Sequence, residues 1–281
     1  MDTEDFECTF PLQPSPDEDV IWRKDIAPHL TGIAQNVVQI CQYGFTEMVN
    51  NAIEHSGSQT FKIKVNRNGE NIRFTVIDYG IGIFTKIKND LGLEEAGHAV
   101  LEIVKGKFTS DPQRHSGEGI FFTSRIFDVF SIASENLSFS WIKNGSRIEV
   151  SKIDRCQGTT ITMEISVESK LTLADVFNEY SDPDKQPGFY RTAIPVQLMQ
   201  YEGESLMSRS QAKRLMNRFD RFLEVTLDFT GVDFIGQGFA DEIFRVFAQA
   251  HPGIQLIPIN CGETVTKMIA HVSGKTGDTS V

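Results

Sequence analysis

Apolar positions recur along this chain with two periods, and each period predicts an element. Met48, Val49, Ala52 and Ile53 fall at helical spacing, so 45–58 is expected to be an amphipathic helix with one face buried. Ile33, Val37, Val38 and Ile40 lie upstream and place 30–43 as the beginning of that helix or the turn before it. Ile72, Phe74 and Val76 alternate with Arg73 and Thr75, the pattern of a half-buried strand running into Asp78. Ile120, Phe121, Ser124, Ile126 and Phe127 form an apolar run with helical potential, and 161–165 alternate as a strand.

The second half repeats the two periods in another order. Val225, Leu227 and Phe229 read as a strand, and Gly231 as a turn. From Phe239, the stripe Ile243, Phe244 and Phe247 reads as a helix that Pro252 and Gly253 end. Ile254, Leu256 and Ile257 begin another strand, and Val265, Met268 and Ile269 sit on a last short helix. Strand, helix, strand, helix implies a small α/β unit with a partly parallel sheet.

Composition supports two compact domains. The 281 residues are 40% hydrophobic and 23% charged, enough for two ordinary cores. Residues 168–189, with Pro, Asp, Ser and Gly in SDPDKQPG and no apolar period, read as the join. The acidic, Pro-containing stretch 1–19 is expected to be a poorly ordered arm that packs on a neighbouring chain. The expected boundaries are an arm at 1–24, a first domain at 25–167, a linker at 168–190 and a second domain at 191–281.

A formal net charge of −11 argues against nonspecific duplex binding, which needs clustered Lys and Arg. Apolar runs stay shorter than a membrane span and the N-terminus carries no charged-then-apolar signal, so a soluble cytoplasmic chain is expected. Cys8, Cys41, Cys156 and Cys261 are too scattered for a zinc motif and are expected as buried free thiols, and the six histidines lack metal-ligand spacing.

Candidate chemistry lies in four places. Glu47 and Asn51 are four apart, which puts a carboxylate and a carboxamide on one helix face. That pair suits Mg²⁺-nucleotide chemistry, or is simply a solvated face. Asp78, Gly80 and Gly82 make either a tight turn or a carboxylate aimed at an exocyclic amine beside bare backbone. Gly117 and Gly119 open onto a helix, where unpaired N–H groups suit phosphate, although the stretch is neither a Walker A nor a Rossmann motif. Gly158-Thr159-Thr160 supplies hydroxyls that reach a phosphate or merely decorate a strand edge.

In this order the four pieces resemble the GHKL ATP-binding family of gyrases, histidine kinases and anti-sigma-factor kinases. The match runs through Glu47, Asn51 and Ala52, then Asp78, Gly80 and Gly82, then Gly117 and Gly119, then Gly158 and Thr159, over about 25–166. His55 resembles the end of the anti-sigma kinases' motif helix. The resemblance implies an α+β chain whose first domain is the GHKL α/β sandwich (the Bergerat fold), with ATP and Mg²⁺ as its ligands. Asn51 would then ligate Mg²⁺ and Glu47 would orient or deprotonate the attacking water or hydroxyl. Asp78 would accept from the adenine amine, with Thr160 assisting through a water. Gly117 and Gly119 would let phosphates approach the backbone. The span 84–116 would be the ATP lid, whose Lys86, Lys88, Lys105, Lys107, Arg114 and His115 are candidate phosphate cations, Arg114 and His115 foremost because they abut the glycine turn.

Residues 192–272 resemble a STAS domain, the fold of anti-anti-sigma factors, through Leu227-Asp228-Phe229, then Val232-Asp233-Phe234-Ile235 and a helix. Phosphorylatable members continue with Asp-Ser-Ser or Asp-Ser-Thr, where this chain has Gly236-Gln237-Gly238, so no hydroxyl is available at that turn. The glycines there permit a sharp turn or mark a docking surface.

Three functions follow as expectations: an ATP-hydrolysing switch that regulates a protein partner, a serine/threonine kinase of the anti-sigma type acting on a separate protein, and a non-catalytic module that nucleotide stabilises. A homodimer is compatible with each.

Overall fold

The computed structural model describes residues 4–108, 117–143, 147–182, 184–185 and 188–274. It divides into two compact units, Met1–Asn178 and Glu179–Val281.

The first unit begins with strand β1 (Glu4–Pro11). Helix α1 (Glu18–Ile21) is capped by Asp17, whose side chain accepts from the amides of Asp19 and Val20, and it runs on as wider and then tighter turns to Leu30. Then come helix α2 (Gln35–His55), strands β2 (Thr60–Arg67) and β3 (Asn71–Asp78), and helices α3 (Ile83–Leu91), α4 (Gly97–Lys105) and α5 (Gly119–Ile126). The long hairpin of β4 (Val129–Ile142) and β5 (Arg147–Ser166) follows, and then helix α6 (Leu173–Glu179). The strands form one antiparallel sheet in the order β1-β2-β3-β5-β4.

Alternation decides which sheet face is covered. Phe61, Ile63 and Val65 of β2, Ile72, Phe74 and Val76 of β3, and Ile161, Met163 and Ile165 of β5 are buried, as are Ile40, Phe45, Met48 and Val49 of α2. Helix α2 packs on β3, β5 and α5. Gly44 lets α2 come close: a Cβ there would meet the Phe127 ring.

One expectation is overturned here and another gains detail. Residues 4–11 are no loose arm, because β1 pairs with β2 along its whole length, from Glu4 opposite Arg67 to Pro11 opposite Thr60. Phe6, Cys8 and Phe10 alternate with Asp5, Glu7 and Thr9, a strand period that the acidic composition obscured. Phe10 stacks on Phe61 at 5.5 Å, and Glu7 sits 2.8 Å from both Lys62 and Lys64, which hold its carboxyl down to about 2. The division between the units falls inside the expected linker, which contains α6. The Thr172 hydroxyl and the Asp175 carboxylate cap each other's backbone at its start, the reciprocal bonding of a capping box.

The second unit carries β6 (Arg191–Pro195), α7 (Arg209–Met216), β7 (Glu224–Asp228) and α8 (Gln237–Asp241). Helix α8 continues through wide turns into α9 (Ala248–Ala250), before β8 (Gln255–Ile259) and α10 (Glu263–Ser273). The sheet order is β6-β7-β8, and both pairings are parallel. Ile194, Val225, Leu227, Phe239, Ile243 and Val265 make its core. Gly236 has an ordinary φ of −74° and serves close approach: a Cβ there would come within 2.8 Å of Met207 Cα, and its amide donates to Leu206 O at 2.7 Å.

All four cysteines are free, but only Cys41 is buried, which pushes its thiol up to about 12. Among the described residues no helix is long and apolar enough to cross a membrane.

Candidate nucleotide site

A cavity of about 340 Å³ lies in the first unit, within the size range of small-molecule sites. Glu47, Asn51, Asp78, Gly82, Gly117 and Gly119, drawn from three separate segments, all line it. One wall is α2, whose 3.6-residue period sets Glu47 and Asn51 one above the other, with His55 and Ser56 at its last turn. The end of β3 brings Asp78, and the start of α5 brings the glycine turn. Apolar wall is supplied by Val76, Ile83, Ile87, Ile103 and Ile161.

Asp78 is 6% exposed. Burial raises its pKa, partly offset by bonds from the Gly80 amide, 2.9 Å from Oδ1, and from the backbone and hydroxyl of Thr159. Within the motif the two glycines do different work. Gly80 lies against Ser56, whose carbonyl accepts from the Ile81 amide at 2.9 Å, and any Cβ would collide with that carbonyl. Gly82 has φ +84° and caps α3. Opposite them, Gly158 adopts φ +69°, and a Cβ would run into the Asp78 carbonyl.

The register sets two neighbouring threonines apart. Thr159 pairs with Asp78 and Thr160 with Ile77, so successive side chains point to opposite sheet faces. Thr159 lines the cavity, donates to Asp78 and accepts from the Ile83 amide at 3.0 Å. Thr160 is not among the lining residues, because the pleat turns it to the other face.

At the far end of the cavity, the Glu47 carboxylate abuts Gly119. Gly117 has φ +70°, and its carbonyl accepts from the Phe108 amide at 3.1 Å. Tyr43, one turn before Glu47, is held well above the usual phenol range by burial and then by the Glu47 and Glu118 carboxylates.

The expected lid cations divide. Lys86 lines the cavity and pairs with Asp90 at 3.0 Å. Lys105 is fully buried with Nζ 2.7 Å from Glu102 Oε1, so it does not face a phosphate here. Arg114 and His115 lie outside the described residues.

The donor set suits a nucleotide-borne Mg²⁺. That ion keeps several waters and takes one or two protein oxygens beside substrate phosphates, and Asn51, whose side chain carries an amide oxygen, lines the cavity. Among the described residues, no three His, Cys, Asp or Glu side chains gather into a metal site of their own.

Residues 20–141 match the family model described as a histidine kinase-like ATPase domain. Residues 211–266 match the STAS-like domain of unknown function (DUF4325). No curated protein matches the chain. The first match ends within β4, before β5 supplies Thr159.

Proposed function

We propose that this chain, a histidine kinase-like ATPase domain joined to a STAS-like domain, binds ATP with Mg²⁺ and hydrolyses it as a switch that regulates a protein partner. The observation that carries the reading is the convergence of Glu47, Asn51, Asp78, Gly117 and Gly119 on one cavity. Asp78 accepts from the adenine amine, with Thr159 fixing its carboxylate. Bare backbone at Gly117 and Gly119 admits the phosphates to the start of α5, where the N–H groups of the first turn and the helix dipole favour negative charge. Asn51 gives an amide oxygen to the metal, which supplies charge neutralisation between the phosphates when bound. Glu47 orients and deprotonates the attacking water.

Binding of ATP measured with and without Mg²⁺ on wild type, Asp78→Asn and Asn51→Ala tests the site. The Asp78 change is expected to abolish adenine selectivity, and the Asn51 change to remove the Mg²⁺ dependence. Unchanged behaviour in both variants would refute the reading. Phosphate release lost in Glu47→Ala with ATP affinity kept would establish hydrolysis.

A second reading is a protein kinase, favoured by His55 in the cavity wall beside a STAS-like domain on the same chain. Labelled ATP incubated with the protein and candidate substrates separates the two, since only a kinase leaves label on another protein.

A further inference from the structure

The helix that leads out of the first unit is seated on both helices that bear the nucleotide residues. Helix α6 spans the boundary at which the second unit begins. Its Phe177 ring meets Phe122 of α5 nearly edge-on with centroids 4.7 Å apart, and Tyr43 of α2 at 5.6 Å. Phe122 lies one helical turn after Gly119, and Tyr43 one turn before Glu47, so a single ring bridges the two cavity walls. The stretch before α6 is tied down separately: Asn36 Nδ2, in the first turn of α2, donates to Ser169 O at 2.8 Å and Leu171 O at 2.9 Å. Val176 is buried beside it in sequence.

A ligand that touches both α2 and α5 favours one spacing between them over others. Packed rings yield by jumping between discrete seatings, because interiors are close-packed and do not deform smoothly. We infer that α6 carries the occupancy of the nucleotide cavity to the second unit, with Phe177 as the side chain that reads the α2–α5 spacing; this rests on the nucleotide reading above. Linkage makes the claim quantitative. If nucleotide favours the seated state of α6 by some factor, seating α6 must raise nucleotide affinity by that same factor.

The test uses the full chain and a non-hydrolysable ATP analogue with Mg²⁺. Amide hydrogen exchange is followed through 173–179 and the second unit, and the affinity for the analogue is measured on wild type, Phe177→Ala and Asn36→Ala. Wild type is expected to show exchange across α6 slowed about fivefold or more by the analogue, the lower end of ordinary coupling. Phe177→Ala should lose that protection and bind the analogue more weakly by the same factor. Asn36→Ala, which cuts the tether and leaves the rings in place, should shift both quantities in the same direction by less, and it carries the test should Phe177→Ala fail to fold. An analogue that binds wild type yet leaves α6 exchange unchanged would overturn the inference alone. So would a folded Phe177→Ala with wild-type affinity and protection. Failure of wild type to bind the analogue would overturn the nucleotide reading and this inference with it.

Discussion

The carboxylate of Glu47 lies against the backbone of Gly119, so that a Cβ on residue 119 would have to share the place of Glu47 Oε2. Gly119 is outside the left-handed region, so the glycine is there for approach rather than for conformation. Helices α2 and α5 can converge on one cavity because nothing stands between the acid of the first and the opening turn of the second.

Gly119→Ala therefore separates positioning from folding. The obstacle is the end of a flexible side chain, and alanine suits a helix start, so stability should stay within about 1 kcal/mol of wild type. Glu47 must swing aside, and if it acts on the water as proposed above, its displacement should cost about a hundredfold in turnover. Chemical denaturation and phosphate release measure the two quantities. Normal turnover in the folded variant would remove Glu47 from the mechanism. Gly158→Ala is the contrast: its φ of +69° and the Asp78 carbonyl leave no room, so loss of about 1–3 kcal/mol is expected from strain alone.

Asp78 gives a pH dependence whose sign is fixed by its raised pKa. Its contribution to stability is fully present below the unfolded carboxyl pKa and is lost as pH rises through the folded value, because the buried carboxylate is the disfavoured form. Asp78→Asn should thus be at least as stable as wild type at neutral pH and lose that advantage in acid. Binding runs the other way. On the proposed contact adenine needs the ionised acceptor, so affinity should fall as pH drops through the raised pKa, and the Asn variant should lack that dependence while binding about tenfold or more weakly. Thermal melts and nucleotide titrations across pH check both, and an acid-insensitive wild-type affinity would count against the Asp78 contact.

The pleat of β5 makes a test of neighbouring threonines. Thr159→Val removes the hydroxyl that donates to Asp78 and accepts from the Ile83 amide, so it should cost about 1–3 kcal/mol of stability and weaken ATP binding. Thr160→Val, on the other sheet face, should change stability by no more than about 0.5 kcal/mol and leave binding alone. Equal effects from the two would mean the register is not as described.

Local pattern revealed more of the cavity than of its frame. The period of α2 sets Glu47 above Asn51 wherever that helix packs, so both were legible before any tertiary contact was known. Asp78 was legible because a strand period ends on it. Which hydroxyl joins it was not, since the choice between Thr159 and Thr160 is a matter of strand register, set by a partner strand far away in sequence. Strand β1 is masked by its acidic composition and shows only in the alternation of Phe6, Cys8 and Phe10. Helix α6 was missed although Thr172 and Asp175 stand at capping-box spacing; SDPDKQPG just downstream drew the whole stretch into the join. Gly236 read as a turn residue, whereas its reason is the Met207 backbone laid across it, which no local pattern encodes.

The lysines of 84–116 look alike in sequence and should behave unlike in experiment. Lys105 and Glu102 form a pair with 0% and 2% of their side chains exposed, 2.7 Å apart, on successive turns of α4. Taking one charge out of a buried ion pair is costly, so Lys105→Met should lose stability by about 3–5 kcal/mol. The double change Glu102→Leu with Lys105→Met should recover most of that, because two apolar chains of similar length bury without the desolvation penalty. Lys86 lines the cavity and its Asp90 partner is on its own helix, so Lys86→Ala should weaken ATP binding with little loss of stability. Urea denaturation and nucleotide titration of the three variants check the division. Loss of affinity in a folded double variant, equal to that of Lys86→Ala, would show that Lys105 leaves Glu102 to meet the phosphates.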